Sequence, residues 1–242
     1  MSALLVNIDH IATLRNARGE GFPDPAEGAR ICEANGARGI VFHLREDRRH
    51  IVDADVWKLK EAVTGVLDFE MAATDEMVAL SLQVHPELIT LVPEKRMELT
   101  TEGGLNLAVA GSDLRRRVLP QYKGTGIIIS LFVDPEVDDI DRSAELGVEA
   151  VELHTGTYAH AFVRGDYQHE LDRLAVAAER AHGLGLLVNA GHGLNFANMP
   201  AFMEHVLHLH DISIGHALMC DALFEGLSTV VRRMVDLIER YN

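Results

Sequence analysis

Cysteine is nearly absent from this chain of 242 residues: Cys32 and Cys220 are the only two, and each falls inside a helical pattern. That excludes a disulfide framework and a thiolate metal site, and it leaves two thiols expected to be buried and inert. Long apolar runs are missing as well. Nothing approaches the roughly 18 consecutive apolar residues of a membrane span, and the N-terminus has no charged start followed by a cleavable apolar region, so a cytoplasmic protein is expected. Basic residues are outnumbered, 22 Lys and Arg against 37 Asp and Glu, for a formal net charge of −15. Such a balance gives no basic face for nucleic acid or an anionic membrane, because counterion release needs one. Any phosphate must be held locally, by a few cations brought together.

What the chain does have is material for a core, with 48% hydrophobic residues, the usual content of a globular protein. Eight short apolar runs read as strands: Leu4 to Ile8, Gly39 to Leu44, Leu67 to Ala72, Leu88 to Val92, Gly126 to Phe132, Ala150 to Leu153, Leu186 to Ala190 and Asp211 to Ile214. They are too short for helices, and continuous apolar character suits strands covered on both faces. Helical patterns fill the intervals. Asp24-Pro25-Ala26-Glu27 is a capping box with proline at the first helical position, predicting a helix from Pro25 to about Asn35 that stops at Gly36. Further helices are expected from Asp53 to about Val66, from the cap Thr74 to His85 before Pro86, from near Asp113, after Asp134-Pro135, from Asp166 to Leu184, around Met199 to Val206, and from Gly215 almost to the end. No linker or composition break interrupts this alternation. The economical reading is a single α/β domain over residues 1–242, a (β/α)8 TIM barrel with additional helices. A doubly wound open sheet is the alternative, disfavoured because no Gly-x-Gly-x-x-Gly follows the first strand.

In such a barrel the C-terminal ends of all strands form one rim, so residues far apart in sequence converge there. Asn7 and Asp9 follow strand one, His43 and Arg45 strand two, Glu70 lies in strand three, Glu152 and His154 in strand six, Asn189 and His192 after strand seven, and Gly215 with His216 after strand eight. The strand N-termini are expected to carry nothing comparable. A carboxylate inside a barrel strand costs several kcal/mol if ionised and unpaired, so Glu70 and Glu152 need a partner or a raised pKa. Either suits a proton-transfer residue, and a structural hydrogen bond to a neighbouring strand is the plain alternative. Gly191-His192-Gly193 and Ile214-Gly215-His216 follow the last two strands, where barrels often hold phosphate on backbone N–H groups at a helix N-terminus.

Val41 to His50 turns from an apolar run into a charge-dense segment. His43 and Arg45 share a side of the pleat, which suggests an anionic ligand. Glu46, Asp47, Arg48 and Arg49 can equally pair among themselves in a solvated loop, and Arg15 and Arg18 add to the cations near these two strand ends. A metal is the less favoured reading, since no local pair of ligands has metal spacing. About 20 residues follow Val92 before helical character returns, a length typical of binding loops and lids. Closure of such a lid is expected to hinge on Gly103 and Gly104.

Taken together, several stretches resemble the pyridoxine 5′-phosphate synthase family of vitamin B6 biosynthesis. They are Val6 to Arg18, His43 to Ile51, Glu70-Met71, Leu91 to Arg96 with Thr100 to Gly104, Ser130 to Phe132, Glu152 to Gly156, Asn189 to Leu194 and Ile214 to His216. The resemblance implies a barrel assembled as a homo-octamer. It implies a transferase-type ring-closing condensation of 1-deoxy-D-xylulose 5-phosphate with 3-amino-2-oxopropyl phosphate, giving pyridoxine 5′-phosphate, inorganic phosphate and water, without metal or organic cofactor. By motif position, it makes His43 and Glu70 proton acceptors, His192 the proton donor and Glu152 the group that stabilises the transition state. Asp9, His10, Arg45, His50 and Thr100 would hold the deoxyxylulose phosphate, and Asn7, Arg18, Gly193, Gly215 and His216 the amino ketone phosphate.

Two other functions fit parts of the pattern. An aldolase or isomerase acting on one sugar phosphate would use a single phosphate site after strands seven and eight, but a Schiff-base aldolase wants a lysine at a strand end, and the rim strands offer none. A non-catalytic sensor of a phosphorylated ligand would not need several proton-transfer groups facing one cavity.

Overall fold

The computed structural model describes residues 1–94 and 103–242. Eight parallel strands close on themselves in chain order: β1 (Ala3–Asn7), β2 (Gly39–His43), β3 (Val66–Met71), β4 (Leu88–Leu91), β5 (Ile128–Val133), β6 (Ala150–His154), β7 (Leu187–Gly191) and β8 (Leu209–Ile214). The expected barrel is therefore the observed one. Helices α2 (Pro25–Ala34), α3 (Asp53–Ala62), α4 (Asp75–Val84), α6 (Val137–Leu146) and α8 (Gln168–Gly183) surround it, with α1 (Asp9–Asn16), α5 (Leu107–Asp113), α7 (Gly156–Arg164) and α9 (Met199–His205) in the connections, and α10 (His216–Glu225) and α11 (Leu227–Glu239) at the end. No helix among the described residues is long and apolar enough to cross a membrane.

The strands alternate in a way their apolar look concealed. Ile40 and Phe42, Phe69 and Met71, Leu131 and Val133, Val151 and Leu153, Ile212 and Ile214 belong to the continuous apolar core under the helices. The positions between them face the barrel lumen. Asp68, Thr90, Ser130, Glu152, Asn189 and Asp211 are all buried polar residues of these strands, where barrels ordinarily pack branched apolar side chains. The deeper part of the lumen is thus not blank, contrary to expectation: Thr90 Oγ1 donates to Asp68 at 2.9 Å, and Arg38 Nη1 donates to Asp211 at 2.7 Å. Burial, reinforced by the charge of Asp211, pushes Asp68 up to about 7.

Local signals explain most element ends. Asp24 caps α2, its side chain accepting from Ala26 N, and Thr74 caps α4, accepting from Met77 N. The C-terminal amphipathic stretch is two helices rather than one, because Gly226 at φ 85° breaks it between α10 and α11. Cys32 is buried and its thiol is pushed up to about 12 by burial, as expected of an inert core thiol. Cys220 is not buried; it is half-exposed on α10, with Sγ 3.5 Å from His216 Nε2.

Candidate active site

The rim encloses a cavity of about 300 Å³ lined from β1, β2, β3, β5, β6 and β8 and from the segments that follow β1, β2, β4, β7 and β8. On one side Asp9, the first residue of α1, is the hub. Its backbone N–H donates to Asn7 Oδ1 at 3.0 Å and its carboxylate accepts from Asn7 Nδ2 at 3.1 Å. Asn7 Nδ2 also reaches Glu70 Oε2 at 3.4 Å. Because β1 turns into a helix just before the end of β2, the N–H of His43 has no strand partner there, and Asp9 Oδ1 accepts it at 2.9 Å. His50 Nδ1 accepts the N–H of Ile51 at 2.9 Å, which leaves its ring proton on Nε2. Burial holds the His50 imidazolium below its usual range, against the pull of Asp9.

The charge run after β2 divides between the two readings open to it. Arg45 is only 3% exposed and lines the cavity. Arg48 pairs with Asp53 at 3.2 Å and with Glu76, Arg49 with Asp47 at 2.6 Å, and Arg15 with Asp55 at 2.5 Å. These three secure loops and α3; Arg45 alone of the group turns inward to the cavity. Behind it stands a residue to which sequence reasoning gave no role. Glu94, on the segment after β4, has a side chain 3% exposed, accepts the N–H of Glu46 at 2.8 Å, and faces His43 Nε2 at 3.6 Å and Arg45 Nε at 3.7 Å. Burial opposes its charge, but the His43 ring, the Glu46 N–H and Arg45 together hold it below the usual carboxylate range. Its only sequence signal was membership of the Leu91 to Arg96 motif, since nothing in a chain read linearly sets a β4 loop against the end of β2.

The opposite side is built from backbone and imidazoles. His192 and Gly193 both adopt left-handed backbone, at φ 83° and 87°, a conformation that costs a non-glycine residue about 1–3 kcal/mol. Thr155 Oγ1 donates to the carbonyls of Gly191 and His192 at 2.6 and 2.7 Å and pins this turn. Gly191 is required by close approach, because a Cβ there would lie 2.3 Å from Glu152 Oε1. Burial, then the neighbouring His154 and His160, pushes His192 down to about 4. His154 is anchored by Asp134, Nδ1 to Oδ1 at 3.0 Å, and meets the His192 ring edge-on at 5.2 Å between centroids. After β8, Gly215 caps α10 and lies so near Asn7 that a Cβ would come within 2.9 Å of the Asn7 Cβ. The unpaired N–H groups that begin a helix, and its positive dipole end, are suited to a phosphate. His216 stacks edge-on against His10 at 5.0 Å, and burial followed by His216 lowers the His10 pKa.

Glu70 and Glu152 lie toward the floor. Burial, reinforced by Asp68 and Asp211, pushes Glu152 up to about 8, and burial together with Glu152, Asp9 and Asp68 drives Glu70 well above the carboxylate range. Burial thus favours the neutral form of both. Among the described residues no three His, Cys, Asp or Glu side chains converge as a metal site.

Asn7, Asp9, His10, His43, Arg45, His50, Glu70, Glu152, His192, Gly193, Gly215 and His216 all line the cavity. Arg18 does not: its side chain is 80% exposed and pairs with Glu20 at 3.3 Å. Thr100, with Lys95 and Arg96, lies outside the described residues. Asn189 and His154 stand behind the lining, Asn189 accepting the N–H of Asp211 at 3.2 Å. Gly104 does not have the free surroundings of a hinge: a Cβ would lie 2.2 Å from the Asp134 nitrogen, and Leu105 N donates to Phe132 O at 2.8 Å, so the segment is seated on the end of β5.

Comparison with known proteins points to one family. The family described as pyridoxal phosphate biosynthesis protein PdxJ matches residues 4–240. The chain is 52% identical over 236 residues to a pyridoxine 5′-phosphate synthase of Chlorobium chlorochromatii, covering 97% of this chain and 99% of that protein. It is 48% identical over 234 residues to one of Salinibacter ruber, covering 97% and 96%. Among solved structures, 3-keto-L-gulonate-6-phosphate decarboxylase of Vibrio cholerae superposes with a TM-score of 0.62 at 13% identity over 98% of both chains, a likeness of fold. Phosphoribosyl anthranilate isomerase of Thermus thermophilus gives 0.55 at 15% identity over 97% of this chain and 99% of that one. With a match over nearly its whole length and half its residues shared with curated members, the chain belongs to the PdxJ family of pyridoxine 5′-phosphate synthases, enzymes of vitamin B6 biosynthesis.

Proposed function

We propose that this enzyme joins 1-deoxy-D-xylulose 5-phosphate to 3-amino-2-oxopropyl phosphate, releasing pyridoxine 5′-phosphate, inorganic phosphate and water. The observation that carries the reading is the convergence of His43, Glu70, Glu152 and His192 on one cavity that Arg45, Gly193 and Gly215 also line. The deoxyxylulose phosphate lies on the side of Asp9, His10, Arg45 and His50, with Thr100 added from the segment after β4. The amino ketone phosphate lies on the side of Asn7, Gly193, Gly215 and His216, its phosphate on the first turn of α10. Arg18 is assigned to that second phosphate by family resemblance, and must swing inward or come from a neighbouring copy to reach one. The protein works in the cytoplasm as a homo-octamer.

Condensing an amine with a ketone, eliminating phosphate and closing a ring by carbon–carbon bond formation requires repeated proton transfer in a water-poor site. His43 takes protons from the deoxyxylulose-derived carbons. Burial favours the neutral form of Glu70, and the arriving ammonium favours its ionised form, which turns it into a base. Glu152, held neutral below about pH 8, can donate a hydrogen bond to an oxyanion as charge develops. His192, pushed down to about 4, is neutral near pH 7, and phosphate dianions entering beside it favour its protonation, so that it becomes the donor. Its strained backbone fixes the ring for that task.

The test mixes the purified protein with both substrates and follows pyridoxine 5′-phosphate absorbance together with free phosphate. Equal amounts of the two products, formed only when both substrates are present, support the reading. Phosphate released from one substrate alone overturns it, and dependence of turnover on a chelatable metal overturns the cofactor-free mechanism.

A further inference from the structure

His43 Nε2 and Glu94 Oε2 are buried and, among the described residues, have no hydrogen-bond partner, yet they face each other at 3.6 Å. A buried polar atom left unpaired costs about 1–3 kcal/mol, and a carboxylate opposite a ring N–H is the arrangement that removes both costs. Catalytic hydrogen bonds are often long in an empty site and tighten when substrate binds. Because Nε2 is enclosed against Glu94, Nδ1 is the ring nitrogen left for the cavity, and the backbone N–H of His43 is already committed to Asp9.

We infer that Glu94 is a positioning residue for the reaction: it accepts the Nε2 proton of His43, fixes the tautomer that presents Nδ1 to substrate as the base, and braces Arg45 on the same carboxylate. The other Glu94 oxygen holds the start of the following loop through the Glu46 N–H at 2.8 Å, so one side chain sets the direction of both the base and the cation. The charged or titratable groups facing His43 are Asp9 from α1, Glu70 on the neighbouring strand, Arg45 and His50 from the segment after β2, and Glu94 from the segment after β4. When His43 takes a proton at Nδ1, Glu94 supplies the adjacent negative charge that stabilises the imidazolium.

This rests on His43 being the base, so the first measurement does not use turnover. Histidine-labelled enzyme without substrate is examined by 15N NMR, the His43 signal being identified by its loss in His43→Gln. An Nε2-protonated tautomer is expected, and an Nδ1-protonated one overturns the inference even if the enzyme is an active synthase. Glu94→Gln keeps an acceptor for the Glu46 N–H and removes the charge. It should lower kcat roughly tenfold or more, with KM for each substrate changed less. Glu94→Asp should recover part of kcat. An unmoved kcat in folded Glu94→Gln, or a loss that falls on KM instead, overturns the assignment; should that variant fail to fold, the wild-type tautomer decides.

Discussion

The two sides of the cavity are built by different means. On the β1 and β2 side, side chains are fixed by other side chains: Asp9 gathers Asn7 and His43, and Glu94 stands behind His43 and Arg45. On the β7 and β8 side, a strained turn, glycines and the start of α10 do the work, and burial pushes His192 down to about 4. Preorganised opposite charges suit a substrate whose phosphate must leave, because the cation stabilises the departing anion. Backbone N–H groups suit a phosphate that is only carried, since they hold it without committing a titratable group. The division of labour therefore follows the chemistry assigned to each substrate.

The hardest blow to this contrast should come from His192→Ala. Removing an acid–base group is expected to cost roughly 10²–10⁴ in kcat, while alanine bears the same positive-φ cost as histidine and so leaves thermal unfolding little changed; a loss of Tm in step with activity would make His192 structural instead. Next is a matched pair. Arg45→Ala should raise KM for deoxyxylulose phosphate by roughly 10-fold or more, and Gly215→Ala should raise KM mainly for the amino ketone phosphate, its added Cβ meeting Asn7 at 2.9 Å. Steady-state kinetics with each substrate varied in turn would erase the distinction if both variants weakened the same one.

A smaller effect concerns the floor shared by both sides. The Glu152 pKa lies near 8 in the fold against an ordinary 4.5, so the unfolded chain releases its proton first as pH rises. This group's contribution to stability is complete below 4.5 and declines as pH rises to about 8. Glu152→Gln should flatten that decline and gain stability at pH 8 relative to the wild type, measured by denaturant unfolding across the range; an unchanged slope contradicts the assignment. Smallest of all, Arg48→Ala removes a surface pairing with Asp53 and Glu76 and should shift stability by no more than about 0.5–1 kcal/mol, with kinetics unaltered. A kinetic defect there would mean that the charge run acts as one unit.

Much of this was readable in one dimension. Barrel closure follows from the alternation of short apolar runs with helices, and the rim rule carries residues such as His43 and His192 to a common cavity without any knowledge of contacts. The lumen was less legible, because Asp68 and Asp211 look like isolated polar residues in strands until closure sets them together. Helices α1 and α7 were not expected, since each begins at a rim residue whose chemistry masks its helical character, Asp9 in one and Gly156 in the other. Glu94 escaped for a physical reason: its partners belong to β2 and its chain to β4, so its role exists only after β3 is inserted between them. Arg18 erred in the other direction, a motif residue whose side chain points to solvent in the single chain.

The central claim is that the cavity accepts two phosphorylated molecules at once, one on each side. 31P NMR with 1-deoxy-D-xylulose 5-phosphate and glycerol 3-phosphate, the latter an unreactive stand-in for the amino ketone phosphate, tests it directly. Two bound resonances should coexist, with Arg45→Ala losing the first and Gly215→Ala weakening the second. A single resonance for which the two ligands compete would contradict it.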